Sequence, residues 1–499
     1  MAARLTASLI AAALALGMAP AANAAGSHSK PPRVPANELM LVQQGSSMAE
    51  VLSLASVPLG FHASAGQALR AAEHTPTMQA LHRRVHPLQY FTYVWRAQHP
   101  YWYVIFQYRG RIVASANVSP DGKVTGVWTG VQAMATFAHG GWSWSVTSWM
   151  VLLPASLLFL LPFFDPRRMW RMAHLDALAI LAFLASWLTL ANADLEPAVW
   201  MAYPPLIYLL IRLALIGFGR SGGTGRLAPL LSLRTLVIGL PLLLGARIAL
   251  SIVAHQEIDV GYESVIGAFR LLHHLPLYYN DPNHGDTYGP LTYVAYVPFE
   301  LVFPWVNSLS HLRAADAAAI CFDLGTIVGL VLLGRRVRPG AEGMRVGLLL
   351  AWAWAACPFS IIGLVVHTND GLVAMLTVFA LVALRSPIFS GAWIGLATAA
   401  KFSPAGLLPL IAAPRQRGAK GALMCAATFA AVVVSAVFTW LPRGGLSYFL
   451  QRTIGFQIHR FDVFSPWALH ASLRPIQTVL EVVAVLFALA VAFFPRQRT

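Results

Sequence analysis

The sequence predicts a mainly α protein: a polytopic bundle of transmembrane helices with a small α+β domain near its N-terminus. Three observations predict it. Of the 499 residues 57% are hydrophobic and only 11% are charged, a balance outside the range of ordinary soluble domains. Apolar runs of about 20 residues, long enough to cross a bilayer, recur from residue 145 to the C-terminus. Between residues 64 and 128 the pattern changes to short aromatic and β-branched runs separated by glycine turns, which is the mark of strands.

A net charge of +15 would point to nucleic acid in a soluble protein. Here the basic residues sit in short loops between apolar runs, so they read as orientation signals, and no nucleic-acid partner is expected. Cys321, Cys357 and Cys425 lie inside apolar runs. They have neither metal-ligand spacing nor the arrangement of a disulfide framework.

The elements follow in chain order. Arg4, an apolar run, Pro20 and the small-residue site Ala22-Asn-Ala24 predict a signal peptide over residues 1–24. The run is short for a span, and an uncleaved anchor is the alternative reading. Either way residues 25–143 are expected outside the cytoplasm as an α+β domain. A helix is expected near 64–84, then strands Tyr101–Gln107, Arg111–Val118 and Lys123–Trp128. Arg109-Gly110 and Ser119-Pro-Asp-Gly122 make the turns between the strands.

About nine full spans are then expected from apolar length: residues 145–164, 174–193, 198–218, 232–254, 313–334, 344–366, 370–385, 418–440 and 475–494. Loop charge sets their direction. Asp165-Pro-Arg-Arg-Met-Trp-Arg171 is basic and belongs inside; Asn192-Ala-Asp-Leu-Glu196 is acidic and belongs outside. Arg220, Arg226 and Arg234 return the chain to the inside, which leaves residues 255–290 as an outer loop. Residues 289–306 are interrupted by Pro290, Pro298, Glu300 and Pro304. Were they to cross, Arg335, Arg336 and Arg338 would lie outside, so a juxtamembrane helix is expected there. Residues 387–413 lie between Arg385 and the group Arg415, Arg417 and Lys420. Both ends belong inside, which predicts a re-entrant pair hinged at Lys401-Phe-Ser-Pro404. Broken backbone at that depth is tolerated where it is buried or lines a cavity. The C-terminus is then cytoplasmic. Residues 144–231 form a three-span module, and residues 232–499 the core.

Acidic residues are scarce, 20 in the chain, yet Glu257, Asp259, Glu263, Asp281 and Asp286 fall in the outer loop. A carboxylate beside a span is costly unless water, a cation or chemistry uses it. The same side is expected to carry the turn His367-Thr-Asn-Asp370 and the loop 443–474 with Arg452, His459 and Arg460. Acids on one loop therefore face bases on another.

Several segments from 232 onward carry a family resemblance: "DVGYESVIGAFRLL" (259–272), "HGDTYGPLTYVAYVPFE" (284–300), "FDLGTIVGLVLLGRR" (322–336), "NDGLVAMLTVFALVAL" (369–384) and "GLATAAKFSPAGLLPL" (395–410). Together they resemble polyprenyl-phosphate-dependent glycosyltransferases of the GT-C fold, in the bacterial mannosyltransferase-like branch. The extracytoplasmic domain, through "VTGVWTG" and the turns before it, resembles PepSY-type binding or regulatory modules. The GT-C resemblance implies a sugar donor on polyprenyl phosphate, a glycolipid, glycan or protein acceptor, and a catalytic acid in the first outer loop of the core. By position that acid is Asp259, with Glu257, Glu263 and Asp286 competing to be a second carboxylate.

The chemistry needs a carboxylate to take the acceptor proton, cations to stabilise the departing phosphate, and an apolar groove to position the lipid. Asp259 suits the first need, or is a solvated loop acid. Arg452, His459 and Arg460 suit the second, or contact anionic lipid. Lys401 suits a phosphate or lipid-donor contact, or reaches along its stem to the interface. Asp370 binds substrate or caps a helix with Asn369. Glu263 is counted with the substrate-binding residues. So are Asp286, a candidate for a sugar or a divalent cation, and Tyr288 beside it. His273, His274 and His284 lack tight metal-ligand spacing, so no metal ligands are assigned. Asp323, deep in an apolar run, is expected to make a structural hydrogen bond. The rival functions are a transporter or flippase of a lipid-linked or anionic substrate, and a regulatory membrane protein with a degenerate transferase core.

Overall fold

The computed structural model describes residues 48–51, 53–95, 100–108, 111–130, 133, 144–191, 195–218, 231–254, 258–278, 287–305, 312–459 and 464–493. The expected signal peptide and the C-terminal tail lie outside these residues. The described chain is mostly helical, with one small sheet near its N-terminus.

That sheet is an antiparallel meander in the order β1 (Met48–Glu50), β2 (Gln89–Trp95), β3 (Tyr101–Tyr108), β4 (Arg111–Val118) and β5 (Val124–Thr129). The last three strands match the expectation closely, and β1 and β2 add to it. The expected single helix is two: α1 (Ala65–Glu73) and α2 (Pro76–His82). The division is local. Thr75 accepts from the Met78 amide as an N-cap and Pro76 opens the second helix, so the first one ends at His74. The period of two in β3 sends Trp102, Val104 and Phe106 to one face, where they bury against Ala65, Ala68, Leu69 and Ala72. Tyr103 and Ile105 bury on the other face with Tyr93.

The helical part begins with α3 (Trp144–Thr147), α4 (Trp149–Leu160), α5 (Met172–Ala191), α6 (Leu195–Gly217) and α7 (Leu233–Val253). It continues with α8 (Asp259–Leu272), α9 (Pro290–Val302), α10 (Arg313–Val337), α11 (Gly340–Ala356), α12 (Pro358–Val365), α13 (Asp370–Val382) and α14 (Pro387–Ala400). After a 3₁₀ turn (Ser403–Leu407) come α15 (Leu408–Ala412), α16 (Pro414–Thr439) and α17 (Gly445–Leu450). A π turn (Gln451–Gly455), α18 (Phe456–His459), α19 (Pro466–Leu469) and α20 (Arg474–Phe493) complete it.

Among the described residues five helices are long and apolar enough to cross a membrane: α5, α6, α7, α10 and the Arg417–Thr439 part of α16. A sixth span results if α11 and α12, bent by 59° at their break, are counted as one. These do not confirm the nine expected, although α20, with 20 residues over the expected 475–494, has the length of a span. The runs at 145–164 and 370–385 contain helices of only 12 and 13 residues. Apolar composition at the helix ends had lengthened them on paper.

Two other expectations change. The outer loop 255–290 is partly helical: α8 occupies 14 residues of it, with Gly261, Ser264, Val265 and Ala268 buried along one face at helical spacing. The run 344–366 is not one helix but the broken pair α11–α12. The expected hinge after Ala400 is present, because α14 stops there and Lys401 is extended (φ −144°, ψ 124°). The helix at 290–302 is also present. It buries Tyr293, Tyr296 and Glu300 and, at 13 residues, is not among the candidate spans.

Contacts fix the directions. Stacking of Phe379 on Trp393 and the pairing of Asp370 with Lys401 make α13 and α14 antiparallel. Pro387 lies by Gly421 and Ser390 by Cys425, so α14 and α16 run parallel. The chain between them must therefore return along the bundle, as α15 does. One end of the bundle thus gathers the starts of α8, α10 and α13 with the end of α14. At the far ends, Arg335 and Arg336 lie in the last turn of α10, Arg338 follows it, and Arg385 follows α13.

The break between α11 and α12 is closed by one side chain. Arg247 of α7, 2% exposed, donates through Nη1 to the carbonyls of Trp354 (3.1 Å) and Ala355 (2.6 Å). Its Nη2 donates to Ser360 O at 3.1 Å and to Asp323 Oδ1 at 2.9 Å. Trp354 Nε1 reaches the same carboxylate oxygen at 2.8 Å. Carbonyls freed by the break are thereby satisfied inside the protein, and Asp323 has the structural role expected of it.

Candidate functional site

The site is built where α14 stops. Lys401 ends the helix in an extended conformation, and Pro404 follows within the next turn. The Ala400 carbonyl loses its helical partner and accepts instead from Gly289 N–H at 3.0 Å and Thr292 Oγ1 at 2.8 Å. A Cβ on Gly289 would stand 2.1 Å from the Ala399 oxygen, so only glycine allows this approach. The two sequence segments Thr287-Tyr-Gly-Pro290 and Ala399-Ala-Lys401 are thus joined backbone to backbone.

Lys401 Nζ lies 2.5 Å from Asp370 Oδ1 and 3.3 Å from Asn369 Oδ1, and 5.5 Å above the centre of the Tyr288 ring. Asn369 is 1% exposed, and its Nδ2 donates to Ser264 Oγ of α8 at 3.3 Å. Tyr288 is held by its backbone: its N–H donates to the Tyr293 hydroxyl at 3.1 Å, and its carbonyl accepts from the Tyr278 hydroxyl at 2.9 Å. The break therefore presents an ammonium group among a carboxylate, an amide and an aromatic face.

The turn before α13 adds a second polar group. His367 is fully buried and adopts a left-handed conformation (φ 50°), uncommon for a residue with a side chain. Its Nδ1 lies 3.0 Å from Asp316 Oδ1 at the start of α10, and its Nε2 lies 3.4 Å from Ser251 Oγ. A Cβ on Gly261 would meet the His367 carbonyl oxygen at 3.0 Å. The first turn of α8, which Asp259 begins, is seated against this turn.

Of the residues named from sequence, Tyr288, Asp370 and Lys401 come together directly. Asp370 heads α13 but makes no side-chain cap; the N-cap position belongs to Asn369, which also caps nothing. Asp259 is the first residue of α8, and its side chain lies outside the described structure. Glu263, on the same helix, is 8% exposed. Arg452 stands half-buried in the π turn after α17. That segment is anchored beside the site by Phe449, whose ring lies 4.9 Å from that of Tyr278 and which clusters with Tyr288 and Phe402. His459 closes α18 with its side chain outside the description, and Asp286 and Arg460 lie outside it entirely. Among the described residues no group of His, Cys, Asp and Glu is arranged to hold a metal ion.

His367, Asn369, Ser264 and Asp316 were not singled out as site residues. The turn 367–370 had stood out as polar between apolar runs, and that was the available signal. Their meeting is tertiary: Asn369 and Ser264 are 105 residues apart in sequence.

No curated protein and no solved structure matches the chain. Residues 287–498 match the model of Glycosyltransferase family 87. The matched segment holds Tyr288, Asp370, Lys401 and Arg452, and begins after Asp259. The similarity is consistent with a membrane glycosyltransferase of the GT-C type.

Proposed function

We propose that the chain is an integral membrane, inverting glycosyltransferase. It moves a sugar, mannose-like by resemblance, from a polyprenyl-phosphate donor to a glycolipid, glycan or protein acceptor on the extracytoplasmic face. One observation carries the reading: Lys401, a cation at a helix break, stands among Asn369, Asp370 and Tyr288, next to the helix that Asp259 begins. The arginines at the far ends of α10 and α13 support the assignment of sides, because basic segments beside a span stay cytoplasmic.

In this reading the acceptor hydroxyl attacks the anomeric carbon from the face opposite the phosphate. A new carbon–oxygen bond forms as the bond to the phosphate oxygen breaks. The electron pair leaves with the phosphate, and the hydroxyl proton passes to the Asp259 carboxylate. Lys401 stabilises the departing phosphate, with Arg452, His459 and Arg460 contributing from loop 443–474. Glu263, Asp286 and Tyr288 contact the substrates, and Asp370 lies against Lys401 at the phosphate position. The domain at 25–143 is a PepSY-like binding or regulatory module.

The test is turnover by purified protein offered a panel of labelled polyprenyl-phosphate sugars. Wild type is expected to consume at least one donor. Asp259→Asn is expected to lower the rate by about 10²–10⁴-fold, the range for loss of a general base, with unchanged thermal unfolding. Undiminished transfer by that variant removes Asp259 from the mechanism. A wild-type protein that consumes no donor overturns the glycosyltransferase reading and favours the transporter.

A further inference from the structure

The partners of Lys401 Nζ differ in how firmly they are held. Asn369 is buried and tied to Ser264. Tyr288 is clamped through its N–H and its carbonyl by two tyrosine hydroxyls. Lys401 itself grows from backbone pinned to Gly289 and Thr292 through the carbonyl just before it. Asp370 is the exception. Its side chain is 64% exposed while that of Lys401 is 30% exposed, and it makes no helix cap. It is an anion resting on a fixed cation, free to turn toward solvent.

An anion there matters because of what the reaction does to charge. A polyprenyl-phosphate sugar is a phosphodiester with one negative charge. Once the sugar has left, the product is a phosphate monoester that carries about −1.5 to −2 at neutral pH. A lone, partly desolvated ammonium holds the product more tightly than the donor, and a tightly held product limits turnover. We infer that Asp370 is a displaceable counter-anion: it occupies the phosphate position on Lys401 in the empty site, gives way to either phosphate, and, still close by once turned out, repels the doubly charged monoester product more than the singly charged donor. The inference rests on the reading of Lys401 as the phosphate contact and adds to it a reason for product release.

A partly exposed ion pair is weak, so the competition is modest. If the pair is closed for most of the time, the apparent affinity for phosphate falls by the fraction of open sites, on the order of fivefold. The probes are farnesyl phosphate, a monoester like the product, and its methyl ester, a phosphodiester like the donor. Binding to full-length protein in phosphatidylcholine nanodiscs is measured by calorimetry.

Asp370→Asn is expected to tighten both probes by about fivefold through the lost competition, and farnesyl phosphate by more, because the repulsion of its second charge is lost as well. Asp370→Glu, which keeps the charge, is expected to bind as wild type does. Asp370→Ser serves as a second neutral variant if the Asn protein is unstable. Lys401→Met is expected to weaken both probes and to erase the gain of Asp370→Asn when the two are combined. If the neutral variants bind the monoester no more tightly than wild type, the counter-anion is overturned while the phosphate site stands. If Lys401→Met leaves binding unchanged, the phosphate site itself is overturned.

Discussion

Among the described helices, the breaks after Ala356 and after Ala400 are finished in opposite ways. At Cys357–Pro358 the freed carbonyls are filled by Arg247, which is itself neutralised by Asp323, and the two side chains are 1% and 7% exposed. At Ala400–Lys401 the freed carbonyl is filled by a backbone amide and a hydroxyl. The cation is left over, facing an exposed carboxylate. One break uses its charge to close the structure, and the other keeps its charge for something else. A charge at a helix break is therefore not by itself a functional signal. What separates the two is whether backbone acceptors already consume it.

The largest expected effect breaks the sealed site. Arg247→Ala leaves Asp323 buried without its cation and takes a donor from three main-chain carbonyls, those of Trp354, Ala355 and Ser360. Removing one partner of a buried pair costs about 3–5 kcal/mol, enough to lose folded protein in detergent. Replacing Arg247 and Asp323 together by leucine removes both charges and is expected to recover much of the loss in thermal unfolding. If Arg247→Ala instead folds normally and loses only sugar transfer, the contrast between the breaks is wrong.

Next in size is Lys401→Met. The exposed pair with Asp370 contributes on the order of 1 kcal/mol or less to stability, so unfolding should barely shift. Loss of a preorganised charge at the leaving group costs about 10²–10³ in rate. Kinetics and unfolding measured on the same preparation decide it: a variant that unfolds early would make Lys401 a second structural cation.

The two breaks were not equally legible in the sequence. Lys401 and Pro404 interrupt an apolar run, both are local signals, and the hinge was expected where it occurs. Pro358 is just as local, but the run around it is long enough to pass as one span. Arg247 sits inside another apolar run, 76 residues from Asp323. A buried ion pair of that separation leaves no pattern in either segment. Helix α8 was hidden differently. Its acids suggested a loop, while Gly261, Ser264, Val265 and Ala268 already had the helical spacing. His367 gave the least warning, since its left-handed backbone and its contact with Asp316 come from packing. The fold class was readable because hydropathy is local, and the site was half-readable because its polar residues are local while their pairing is not.

Gly289→Ala tests the junction between the two motif segments. A methyl group 2.1 Å from the Ala399 oxygen must push α9 away from the break. Overpacking of this kind costs about 1–3 kcal/mol, and it should also displace Lys401. Both unfolding temperature and donor kcat/KM are expected to fall. A loss of stability with intact kinetics would separate Lys401 from the geometry that Gly289 imposes.

The smallest effects give the sharpest comparison, because a serine supports each break. Ser360 Oγ accepts from Arg247 Nη1 at 3.2 Å; Ser264 Oγ accepts from Asn369 Nδ2 at 3.3 Å, and Asn369 in turn accepts from Lys401. Changing either serine to alanine removes one buried acceptor, worth about 1 kcal/mol. At the sealed break that loss has nowhere to appear except stability, so Ser360→Ala should lower the unfolding temperature and leave the donor KM alone. At the open break the loss falls on the amide that steers Lys401. Ser264→Ala should therefore raise the donor KM by about fivefold, the equivalent of that one hydrogen bond, with kcat close to wild type. Steady-state kinetics on the two variants read the difference directly. If both shift KM alike, or neither does, the two breaks do not differ in kind, and Lys401 is one more cation satisfying its own helix.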